Sequence, residues 1–138
     1  MIDKRDSKTI TFMLGDMLFE YDEWKNEYNI EHHGISFKQA ARVFFDYDRI
    51  ELFDEENSEE EDRFDTIGDL SAGYARVAAG ETVIGNIGSF FREVNDIVFV
   101  VYAERTQVDD NGKKTDVTRL ISARFATNFE RGVYYGKL

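Results

Sequence analysis

The chain is 138 residues long, carries a formal net charge of −11 and contains no cysteine. Its length suits one domain, and the missing thiols exclude a disulfide framework or a thiolate zinc site. Hydrophobic residues at 42%, with 12 Phe and 7 Tyr, suffice to bury a core, while no apolar run approaches the ~18–20 residues of a membrane helix.

Residues 1–17 carry mixed charge around a short apolar patch, Ile10-Thr-Phe-Met-Leu14, readable as an extra strand or as an N-terminal arm. They lack the apolar region and small-residue cleavage site of a signal peptide, which points to a cytoplasmic protein. A strand is expected over 17–21. Asp22 then has the chemistry of a helix N-cap, and Glu23 suits the positive end of the helix that follows. Trp24 and Tyr28 are spaced to stack, while Lys25, Asn29 and His33 share an adjoining polar face. Gly34 supplies the left-handed residue that ends many helices. Ser36-Phe-Lys-Gln39 is a capping box for a second helix, whose Phe37, Ala40, Ala41 and Phe44 keep the spacing of a buried stripe.

Strands are expected over 49–53 and 63–68, on either side of an acidic loop at 54–62. That loop holds seven carboxylates and no base, and without it the remaining charge is −4. A solvated loop is the plain reading, and a docking site for a basic partner the sharper one. The stretch 69–96, with four glycines, reads as strand pieces and turns. Residues 97–102 are apolar on both faces, as in a central strand. Asp109-Asp-Asn-Gly112 marks a hairpin turn to an antiparallel partner over 117–124. Thr127 or Asn128 can cap a terminal helix running to 135. The pattern is that of an α+β domain.

Few residues are suited to chemistry. Strict alternation over 117–124 puts Leu120, Ser122 and Arg124 on one face, and Arg119, Ile121 and Ala123 on the other. An arginine on an interior strand is costly to bury unless it is paired or bound to an anion. Each arginine therefore reads either as a salt bridge to one of the 28 acids or as a phosphate contact. His33 sits where helix carbonyl ends favour a protonated ring, so it is a candidate general acid or base. A surface or core-edge histidine without a role is the plain alternative. There is no phosphate-binding glycine loop, no Ser-His-Asp order and no helical metal pair, so neither cofactor nor metal is expected.

Taken in order, several of these residues resemble the BrnT family, the toxins of BrnT/BrnA toxin–antitoxin pairs. Phe19-Glu-Tyr-Asp22, Lys25, Asn29, His33-Gly34, Ser36-Phe37 and Ala40-Ala41 match its opening. Asp54-Glu-Glu-Asn57, Arg63, Ile67-Gly68, Val100-Val-Tyr102, Glu104-Arg105 and Arg119-Leu-Ile-Ser-Ala-Arg124 follow in the family's order. The resemblance covers roughly 18–68 and 97–135. It implies a RelE-like antiparallel β-sheet with two N-terminal helices packed on it and a C-terminal helix. It also implies a metal-independent endoribonuclease, neutralised by a BrnA-type antitoxin and meeting DNA only through the antitoxin complex. By position, His33, Lys25, Arg63, Arg105 and Arg124 are the implied site, with RNA as substrate.

The chain departs from the family in three places. His32 stands where the family usually has a lysine, residues 1–17 form an extra N-terminal arm, and 69–96 read as an insertion. These departures keep open a non-catalytic interaction module on the same scaffold. A small-molecule-binding α+β domain, with the insertion as a pocket wall, is a third reading.

Overall fold

The computed structural model describes residues 2–78 and 96–136. Strands β1 (Thr9–Leu14), β2 (Met17–Asp22), β3 (Ile50–Phe53), β4 (Arg63–Asp69), β5 (Ile97–Val108) and β6 (Lys114–Phe125) form one sheet in the order β1-β2-β6-β5-β4-β3. Helix α1 (Glu23–His33) follows β2 directly. Helix α2 (Phe37–Ala40) continues as a 3-10 helix (Ala41–Phe45), α3 (Leu70–Ala78) follows β4, and α4 (Asn128–Tyr135) follows β6.

The apolar patch near the N-terminus is a strand, paired with β2 from Thr9 against Asp22 to Leu14 against Met17. The expected all-antiparallel sheet is instead mixed, because β2 lies parallel to β6 while the other pairs are antiparallel. That direction lets the chain pass from β2 straight into α1, whose Asn29 side chain reaches the β6 backbone farther along. β5, the strand apolar on both faces, lies between β4 and β6.

The local signals hold. Asp22 accepts from the Trp24 and Lys25 amides at 2.9 and 3.2 Å, and Gly34 closes α1 at φ 71°. Ser36 and Gln39 form the reciprocal capping box, Thr127 and Glu130 form another, and Trp24 stacks on Tyr28 with ring centroids 5.7 Å apart. On one sheet face Phe19, Phe37, Val43 and Phe44 meet Val98, Val100, Tyr102, Leu120 and Ala123. Each such burial is worth about 1.5–3 kcal/mol, so packing holds these short helices more than propensity does.

The stretch expected as strand pieces and turns starts otherwise: 70–78 is helix α3, and 79–95 lies outside the described residues. Gly73 misled because it is there for close approach. A Cβ on it would sit 1.9 Å from the Arg42 carbonyl oxygen, where α3 packs on the 3-10 helix. On the opposite sheet face, α4 sets Val133 and Tyr134 against Ile67, Ile97 and Phe99. The Tyr134 hydroxyl donates to buried Asp46 at 2.6 Å.

Candidate active site

A β-bulge decides which side chains share the uncovered part of that second face. Val101 pairs with Ser122 and Tyr102 with Leu120, so Ile121 is an extra residue in β6. One extra residue reverses the side-chain alternation beyond it. Leu120 and Ala123 therefore both face the main core. Arg119 and Arg124, expected on opposite faces, lie on the same one, since they pair with Ala103 and Phe99 of β5.

Register then builds rows across the sheet. Glu20, Arg119, Ala103 and Arg63 stand side by side on β2, β6, β5 and β4. With neighbouring strands ~4.8 Å apart, the two arginines flank a fully buried alanine that takes up little room between them. The next row holds Asp65, Val101 and Ser122, and the one after it Ile67, Phe99 and Arg124.

Helix α1 closes one side of this surface. Asn29, expected on a polar face, is instead buried, and its amide donates to the Ala123 carbonyl. The α1 segment and the β6 segment thus meet through this bond. Lys25, one turn earlier, is half-buried and close to the Arg63 and Arg119 charges. Burial first, then Arg63, hold its ammonium below the ordinary value, against the opposing pull of Asp22. Among the described residues neither Lys25 nor Arg63 forms a salt bridge.

The other arginines are engaged. Arg124 makes a two-point pair with Glu130 at 2.7 and 2.9 Å and lies over the Phe99 ring at 4.4 Å. Arg105 is held by Glu61 of the acidic loop at 2.8 and 3.2 Å, with Glu20 at 3.8 Å. Arg119 lies 3.6 Å from Glu20. The acidic loop thereby folds back on the cationic face, and a cleft of about 540 Å³ opens between its Glu56, Asn57 and Glu61 and the side chains of Arg63 and Arg105.

Of the residues expected from sequence, Lys25, Arg63 and Arg105 gather on this surface, while Arg124 lies on the same sheet face two rows farther along, held by Glu130. His33 does not join them by contact. It is exposed at the end of α1, roughly 12 Å along the axis from Lys25 at ~1.5 Å per residue, and its ring meets the edge of Tyr28. His32 stacks on Tyr28 at 3.9 Å.

Sequence reasoning missed Asp65. Burial pushes its carboxyl up to about 7, helped by the hydrogen bond and charge of Asp54 and by the charge of Glu130, against Arg124. Its Oδ1 is buried without a hydrogen-bond partner. The available signal was its place two residues after Arg63 in an alternating strand, which puts both on one face.

Among the described residues no three His, Asp or Glu side chains converge as metal ligands, and no helix is long and apolar enough to cross a membrane. A comparison with curated proteins found no match. A family model described as "Ribonuclease toxin, BrnT, of type II toxin-antitoxin system" matches residues 21–84. That span carries Lys25, His33 and Arg63 and ends before β5 and β6. Over 21–84 the chain is similar to the BrnT toxin family, which bears out the resemblance drawn from the ordered residues up to 68 and leaves the part drawn from 97–135 outside the match.

Proposed function

We propose that the protein is the ribonuclease toxin of a type II toxin–antitoxin pair, on a RelE-like scaffold spanning a single domain. It cleaves RNA without metal and is neutralised by a BrnA-type antitoxin. The observation that carries this reading is the pair Lys25 and Arg63. Two cations near enough for one to depress the other's pKa, with no salt bridge to either among the described residues, suit an anion such as a phosphate. The chemistry is attack of the RNA 2′-hydroxyl on the adjacent phosphorus, which needs a base, a proton donor for the leaving 5′-oxygen and cations around the phosphorane. Lys25 and Arg63 hold the phosphate, Arg105 and Arg124 extend the cationic surface, and His33 exchanges a proton. DNA, lacking the 2′-hydroxyl, is not cleaved.

The test uses purified protein freed of antitoxin, with RNA and DNA of one sequence, in chelator. RNA is cleaved and DNA is not, and Lys25→Ala, Arg63→Ala and His33→Ala each lower the rate by ~10²-fold or more. Uncleaved RNA at any protein concentration rejects the reading. A second reading, a non-catalytic interaction module, is favoured by Glu61, Glu20 and Glu130 occupying Arg105, Arg119 and Arg124. It predicts that same absence of cleavage together with stable binding of a basic partner.

A further inference from the structure

Cleavage by 2′-hydroxyl attack moves two protons, and the ribonuclease reading above assigns only one of them, to His33. The second site must lie on the cationic face, carry no permanent bond to an arginine and hold a proton near neutrality. Asp65 meets each condition. It stands one row from Arg63 and Arg119, with Val101 and Ser122 beside it across β5 and β6. Among the described residues no arginine or lysine forms a salt bridge with it. Asp54, just beyond β3, lies within hydrogen-bonding reach of its carboxyl. Two carboxyls can share such a bond only when one carries the proton. Its Oδ1 is buried without a partner, an environment that disfavours the charged carboxylate and so favours the proton.

We infer that Asp65 is the general base of the cleavage reaction, with Asp54 as its positioning residue; this rests on the ribonuclease reading above. The Asp65 carboxylate takes the proton of the 2′-hydroxyl as that oxygen bonds to phosphorus. The bond from phosphorus to the 5′-oxygen breaks, and that oxygen takes a proton from the general acid, His33 in the reading above. The products are a 2′,3′-cyclic phosphate and a free 5′-hydroxyl, with no other reactant consumed. The charges facing Asp65 are Asp54 from the β3–β4 loop, Glu130 from α4 and Arg124 from β6, with Arg63 on its own strand. Burial and the two acids raise its proton affinity, to about 7, and Arg124 moderates it. A base titrating there is matched to neutral pH.

The test is the pH profile of kcat/KM on RNA for the wild type, Asp65→Asn and Asp54→Asn, beside a carbon-13 titration of the Asp65 carboxyl in the intact wild-type protein. In the wild type, kcat/KM rises along a limb centred near pH 7, where the carboxyl signal also titrates. Asp65→Asn loses the limb and ~10²–10⁴-fold of the rate. Asp54→Asn keeps Asp65 but moves the limb and the carboxyl signal to lower pH together. Wild-type cleavage with an unchanged rate and limb in Asp65→Asn, or an Asp65 signal titrating in the ordinary carboxylate range, overturns the assignment and leaves the ribonuclease reading standing. A wild type that cleaves no RNA overturns both.

Discussion

Asp65 binds its proton more tightly in the folded chain than in the unfolded one, because burial, Asp54 and Glu130 outweigh Arg124. Between the ordinary value of 3.8 and about 7 the folded state holds the extra proton, so stability falls as pH rises through that window. Asp65→Asn removes the titration. The variant is expected to lose less stability than the wild type between pH 5 and pH 8 in denaturant melts, and parallel losses would refute the coupling. Glu130 works in the other direction. Burial raises its pKa, but the hydrogen bonds from Arg124 and Thr127 prevail and hold the carboxyl below its ordinary 4.5. Its contribution is present above that value and disappears as pH falls through the lower folded value. The two carboxylates, both near Arg124, thus act in separate pH windows.

The elements bring these residues together through a few contacts. Asn29 is nearly fully buried and satisfies the Ala123 carbonyl on β6. Asn29→Ala leaves that acceptor without its partner, at a cost of about 1–3 kcal/mol, and loosens the helix that carries Lys25. Denaturant melts should show the loss, and a variant as stable as the wild type would mean that α1 is held without the bond. At Gly73 two effects oppose each other. Alanine gains ~1 kcal/mol of helix propensity, but its Cβ would fall 1.9 Å from a backbone oxygen that cannot rotate aside. Overpacking of this kind costs about 1–3 kcal/mol or more, so Gly73→Ala is expected to lower the melting temperature. These positions also mark where sequence reading stops. Asp22, Gly34, Ser36 and Thr127 act on their own neighbours, so their roles are visible in a short window. The bulge at Ile121 is set by pairing with β5, and Gly73 by a helix elsewhere in the chain, so neither partner is visible locally. The cationic residues were legible by type, but their common face depends on the bulge, and Asp65 gains its character only from the β3–β4 loop and α4 around it.

At the scale of the whole molecule, a net charge of −11 repels RNA while a local cationic face attracts it. These effects have different ranges, and salt separates them. Glu55, Glu56, Glu59 and Glu60 are exposed on the acidic loop, and replacing all four with glutamine takes the formal charge from −11 to −7. At low ionic strength, where the Debye length is ~30 Å, the change should speed RNA association. At 1 M salt, with a Debye length of ~3 Å, variant and wild type should converge. Glu61→Gln acts differently, because Glu61 sits directly on Arg105 at 2.8 Å. Removing it frees a guanidinium at the cleft, so the gain in RNA affinity should persist into salt that erases the four-residue effect. Association rates and affinities measured across a salt series distinguish the two. If Glu61→Gln loses its advantage at the same salt as the four-residue variant, the loop is only a diffuse negative field. A gain that survives identifies Glu61 as a carboxylate standing in the place of an RNA phosphate.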